Sequence, residues 1–109
     1  MGDRLPDDAI VVRGGRNMPE DLQRGIKQHP SGPLGASVEC GEGKTVEELA
    51  SALPHGQIGV TTVSAIRAAG GDVVPTPGRT PYHATLTGLT PEDISRLLRP
   101  SLPNPAKKP

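Results

Sequence analysis

The sequence predicts an α+β fold, a small mixed or mainly antiparallel sheet with three to four short helices on one face. Two observations about pattern and one about spacing predict it. Short apolar runs, two of them with a two-residue period, recur between Gly- and Pro-rich turns. Segments with helix-capping signals lie between them. The two runs after Gly71 are separated only by a tight Pro/Arg turn, the spacing of an antiparallel hairpin rather than of a parallel crossover.

Each element follows from local chemistry. Residues 9–13 (AIVVR) are a β-branched run that ends at Gly14-Gly15. Asn17 is placed to cap a short helix with Pro19 in its first turn and Glu20 and Asp21 against the positive end of the dipole. Leu22 and Ile26 give it an i, i+4 pair, and Gly25 shortens it. Residues 29–35 (HPSGPLG) read as loop, and residues 36–40 (ASVEC) as a strand with Ala36, Val38 and Cys40 inward. Thr45 and Glu48 form a capping box ahead of the stripe Val46, Leu49, Ala50, Leu53, which Pro54 ends. Residues 57–61 read as a brief strand, Thr62 as the cap of a helix through Ala69, and Gly70 as its left-handed stop. Residues 72–75 and 82–87 are the last strands. Thr90, Pro91, Glu92 and Asp93 then open a helix buried through Ile94, Leu97 and Leu98.

Composition bounds the rest. The 109 residues make one domain, expected over residues 9–100, with residues 1–8 frayed and the Pro-rich residues 101–109 disordered. Tyr82 is the one aromatic among Phe, Tyr and Trp, so the core must be aliphatic. Twelve basic and twelve acidic side chains cancel, which argues against gripping nucleic acid through bulk charge but leaves room for a local basic pocket. Cys40 has no partner for a disulfide, and a reducing cytoplasm is the expected compartment. The start MGDRLPDDAI has no apolar leader core, and Pro6 breaks the myristoylation pattern, so no membrane role is expected.

Several side chains are candidates for chemistry. The alternation over residues 82–87 puts His83, Thr85 and Thr87 on the face opposite Ala84 and Leu86. A histidine beside two hydroxyls suits acid–base catalysis, because imidazole titrates near neutrality; the plain alternative is a solvated face of β-favouring threonines. Arg13, against two glycines that permit close backbone approach, is a candidate anion ligand, with Arg16, Arg67 and Arg79 as companions if the fold gathers them. Scattered surface arginines are the commoner outcome. Thr61 and Thr62 precede unpaired first-turn amides, a further anion candidate against the reading of an ordinary threonine cap. His29 and His55 adjoin prolines in loops and read as exposed. No His or Cys spacing suits a metal, and Cys40 reads as core filler.

The stretch GVTTVSAIRAAGGDVVPTPGRTPYHATLTGLTPEDISRLL, residues 59–98, resembles uncharacterised domains at the C-termini of bacterial polymorphic toxins of the Rhs and filamentous-haemagglutinin groups. The resemblance implies a toxin context and draws interest to His83, without assigning chemistry. Among such toxins, small metal-independent ribonucleases of the barnase, colicin and interferase type are similar in size and architecture. On that reading His83 is the acid or base, Thr85 its neighbour, and Arg13 the phosphate ligand. Arg16, Arg67, Thr61 and Thr62 then contact substrate. The partners are RNA and a cognate antitoxin or immunity protein, and no cofactor is needed. A non-catalytic interaction module (antitoxin, immunity or adaptor protein) is the second reading. An ADP-ribosyltransferase using NAD is the third, since the first strand of that family often ends in Arg-Gly, as Val12-Arg13-Gly14 does, with a Ser-bearing strand next, as Ser37 allows. The chain is short for a transferase, and Glu39 does not stand in that family's late Glu motif.

Overall fold

The computed structural model describes residues 4–107. Its strands are β1 (Ile10–Gly14), β2 (Lys27–Gln28), β3 (Leu34–Gly41), β4 (Gln57–Thr62), β5 (Asp72–Pro75), β6 (His83–Thr87) and β7 (Leu102–Pro103). The helices are α1 (Pro19–Gly25), α2 (Val46–Ala50), α3 (Val63–Ala68) and α4 (Pro91–Leu98). The strands form one antiparallel sheet in the order β5-β6-β3-β1-β4-β7, with β2 also beside β3. This is an α+β domain, and the hairpin of β5 and β6 pairs Asp72 with Thr87 and Val74 with Thr85.

Alternation sorts the sheet into two faces. Val11, Ala36, Val38, Cys40, Val73, Ala84 and Leu86 pack with Leu22 of α1, Val63 and Ile66 of α3, and Ile94 and Leu98 of α4. The helices do not all share that face. Val12 and Ile58 point the other way and are covered by Leu49 and Ala50 of α2. Because α2 has only five residues, it covers the β1–β4 half of this second face and leaves the β3–β6 half to polar side chains. That half-covered face is what makes room for a site.

The capping signals place most helix starts. Thr45 Oγ1 accepts from the Glu48 amide at 3.1 Å, and Glu48 Oε1 accepts from the Thr45 amide at 3.0 Å. Thr62 and Thr90 cap α3 and α4 through their hydroxyls alone, accepting from the Ala65 and Asp93 amides, and Gly70 stops α3 at φ +102°. The first helix differs. Met18 occupies the cap position, and Asn17 adopts φ +57°, its amide donating to the Arg13 and Gly15 carbonyls. Asn17 therefore shapes the turn before the helix instead of capping it.

Three further expectations are corrected. The segment read as loop, residues 29–35, already contains the start of β3 at Leu34, and an unanticipated β2 just before it pairs Lys27 with Gly35 and Gln28 with Leu34. Residues 4–8 are fixed: Ser64 donates its amide to the Asp7 carbonyl, and Leu5 packs on the main core, while residues 1–3 lie outside the described residues. The C-terminal segment is not disordered over residues 101–107. Leu102 pairs with Ile58, and Asn104 is buried; residues 108–109 lie outside the described residues. Proline confined to a sheet edge removes no ladder bond that a neighbour needs, which is why a Pro-rich tail can still pair there.

Candidate functional site

On the polar half of the second face, β3 contributes Ser37 and Glu39, and β6 contributes His83 and Thr85. The register sets Ser37 across from Thr85 and Glu39 across from His83. Cβ atoms of such cross-strand neighbours lie about 4.5–5.5 Å apart. The loop after α2 brings Leu53 and His55 to one rim, and the β5–β6 loop brings Arg79 and Thr80 to the other. The result is a groove of connected cavities. The largest, about 380 Å³, is lined by Glu39, Leu53, His55, Arg79, Thr80 and His83. Glu39, Leu53 and His55 also border a cavity of about 220 Å³ that extends to Arg13 and Ser37. A third cavity of about 220 Å³ runs from Ser37 and Thr85 to His29.

His83 is held through one nitrogen. Its Nδ1 lies 3.2 Å from the Thr76 carbonyl oxygen and 2.9 Å from Thr76 Oγ1. A carbonyl only accepts, so Nδ1 carries the proton and donates, which leaves Nε2 free for chemistry. Thr76 Oγ1 is in turn 3.0 Å from Thr85 Oγ1. Both threonines are buried, so Thr85 supports the imidazole through Thr76 and is not itself at the surface. The side chain also packs closely against Gly78, where an added Cβ would overlap Cγ. Glu39 is 8% exposed, and its Oε1 accepts from Thr80 Oγ1 at 2.5 Å, which keeps the carboxylate beside His83.

The other histidines also border the groove: His55 is an exposed loop residue, as expected, whereas His29 is half-buried. The His29 and His83 ring centroids are 5.6 Å apart. His29 Nε2 donates to the Pro77 carbonyl at 2.9 Å and Nδ1 accepts from the Ser31 amide at 3.0 Å, so this ring clips two loops together. His55 packs on Gly14, where a Cβ would collide with the imidazole.

Among the anticipated anion ligands, few reach the groove. Arg13 reaches its edge but is committed elsewhere. β1 pairs with β3 only as far as Val12 and Glu39, and β2 begins pairing at Gly35. In the gap between them, Arg13 Nη1 donates to the Ser37 carbonyl at 2.8 Å. Its Nε is buried with no hydrogen-bond partner among the described residues. Burial lowers the guanidinium below its ordinary pKa, an effect that the Asp21 carboxylate opposes. Arg16 is exposed on the turn after β1 and does not line the groove. Arg67 is on α3, on the helical face, where it binds Asp72 at 2.9 Å and Asp7. Thr61 is buried and Thr62 is an ordinary cap on α3, accepting from Ala65. Cys40 lies in the main core, and burial pushes its thiol up to about 11, too high for a nucleophile near neutrality.

Among the described residues, no group of three or more His, Cys, Asp and Glu side chains is placed to hold a metal ion, and no helix is long and apolar enough to cross a membrane. A depression of about 480 Å³ between α1 and α4, lined by Pro19, Glu92, Ser95, Arg96 and Arg99, is larger than any groove cavity. It is shallow and has no histidine among its lining residues. No family model, curated protein or solved structure matches the chain.

Proposed function

We propose that the chain is a toxin-like, metal-independent ribonuclease that acts in the cytoplasm and is restrained by a cognate antitoxin or immunity protein. One observation carries the reading: Glu39 and His83 stand opposite each other in register and line one cavity with Arg79. In the reaction, Glu39 takes the proton of the ribose 2′-hydroxyl, and O2′ attacks the adjacent phosphorus. The P–O5′ bond breaks as His83, entering as the doubly protonated imidazolium with its Nδ1–H on the Thr76 carbonyl, gives its Nε2 proton to O5′, leaving a 2′,3′-cyclic phosphate and a 5′-hydroxyl. Arg79 faces the charge that develops on the phosphorane oxygens. Relative to the sequence reading, Glu39 joins His83 at the centre. Thr85 becomes a support, and Arg79 replaces Arg13 as the phosphate ligand.

Cleavage of a defined oligoribonucleotide in EDTA, with identification of the product ends, tests this. Glu39→Gln and His83→Ala should each lower the rate by about 10²–10⁴-fold with the fold intact. Undiminished cleavage by both variants, or cleavage that stops in EDTA, overturns it. In a bacterial host, induction of the wild type should arrest growth and His83→Ala should not.

One observation favours a second reading, an NAD-dependent ADP-ribosyltransferase. The Arg13–Ser37 bond brings the Arg-Gly end of the first strand beside a Ser-bearing strand, as the resemblance implies for that family. Release of nicotinamide from NAD, in place of RNA cleavage, would select it. A chain that neither cleaves RNA, consumes NAD nor arrests growth is an interaction module.

A further inference from the structure

The loop of residues 53–56, which carries His55, has its successive carbonyls held by the C-terminal segment. Asn104 Nδ2 donates to the His55 carbonyl at 2.9 Å and to the Leu53 carbonyl at 3.4 Å. The Asn104 amide donates to the Gly56 carbonyl at 2.9 Å, and the Lys107 ammonium to the Pro54 carbonyl. Asn104 Oδ1 accepts from the Ala106 amide at 2.9 Å, which closes the tail into a turn over the loop. β7 anchors that turn to the edge of β4, and Ser101 Oγ adds a bond to Gln57 Oε1. Asn104 is only 4% exposed, although a proline stands on each side of it. The His55 ring itself packs on Gly14 of β1. The backbone of a Pro- and Gly-containing loop is thus held by the tail, and its exposed histidine rests on β1.

We infer that the tail braces the loop that forms one wall of the site and that Asn104 is a positioning residue for His55. His55 borders both the Glu39–His83 cavity and the Arg13–Ser37 cavity, so it stands where a phosphate spanning the two would pass. Its imidazole there is a donor to the bound phosphodiester. What His55 contacts rests on the ribonuclease reading; where it is held does not.

Asn104→Asp separates these statements. It keeps the Oδ1 that caps Ala106 and sets a carboxylate against two carbonyls in place of the amide donors. The His55–Gly14 proton contact, read by NMR on the full chain, should be lost while the amide signals of β3 and β6 stay put. KM for an oligoribonucleotide should rise roughly tenfold with a smaller change in kcat, the mark of a lost ground-state contact. His55→Ala should do the same, and the double variant should be no worse than His55→Ala alone. Asn104→Ser provides the same readings if the Asp variant does not fold. Persistence of the His55–Gly14 contact, or full additivity in the double variant, overturns the inference. A wild type that cleaves no RNA removes the ribonuclease reading, and the NMR contact alone then decides the role of Asn104.

Discussion

Glu39 on β3 lies directly across from His83 on β6, and each is held by a threonine of the β5–β6 loop: Glu39 by Thr80, His83 by Thr76. One loop therefore sets both partners, and its packing is the first place to perturb them. Gly78 has no positive φ to demand glycine, so its role is to leave space for the ring. Gly78→Ala should displace His83 and lower cleavage by more than about tenfold, toward the full cost of losing an acid–base group. Melting temperature and the main-core amide signals should hardly change. Equal activity in the two proteins would show that the ring has another place to go.

Under the ribonuclease reading, a chain with no net charge must draw its RNA affinity from a few local cations. Each phosphate neutralised on a single strand contributes a slope of about −0.7 in log K against log salt. The wild type should show a shallow slope of roughly one to two such contacts, and Arg79→Gln should reduce it by about 0.7. A steep slope, unaffected by Arg79→Gln, would place the RNA elsewhere.

Alkaline pH should destabilise the fold through Cys40. Its thiol is pushed up to about 11 in the folded chain, so the unfolded chain loses its proton first as pH rises. Stability is then complete below about pH 8.5 and falls as pH approaches 11, by an order of 2–3 kcal/mol. Denaturant melts of the wild type and Cys40→Ala at pH 8 and pH 10.5 check it. The difference between the proteins should shrink at the higher pH, and a constant difference would contradict the assignment.

Arg13 and Arg67 should behave as structural residues. Arg13→Ala leaves the Ser37 carbonyl without its donor in the gap between β1 and β2, at a cost of about 1–3 kcal/mol. Arg67→Ala breaks two partly exposed ion pairs and should cost little stability, the loss shrinking further as salt is raised. Under the ribonuclease reading, kcat/KM of folded Arg67→Ala should equal the wild type. A large activity loss at unchanged stability would return Arg67 to the site.

The elements were legible where chemistry is local. Threonine caps, the Gly70 stop and the alternation around Ala84 and Leu86 each depend on a few neighbouring residues, and each appears in the structure. The face shared by His83 and Thr85 was legible for the same reason. Glu39 was visible only as an outward residue of its strand, because its place opposite His83 is set by the β3–β6 register, which no local pattern encodes. His29, His55 and Arg79 come from loops whose paths depend on contacts far along the chain, such as His29 with Pro77. The tail misled because proline content reports the lack of donors, whereas Asn104 and the edge of β4 supply the pairing there. Placing helices on one face failed because α2 has apolar Val12 and Ile58 to cover on the other.

The nearly aromatic-free composition gives the groove its own optical reporter. Tyr82, the one fluorophore among Phe, Tyr and Trp, immediately precedes His83 and packs with the smaller cluster under α2, with the Lys44 ammonium 5.4 Å above its ring. Its emission therefore follows the wall beside Glu39 and His83, while the larger aliphatic core is silent. Fluorescence and far-ultraviolet dichroism will follow different parts of the same unfolding transition. A ligand or partner entering the groove can be titrated on the unmodified chain, without an introduced label.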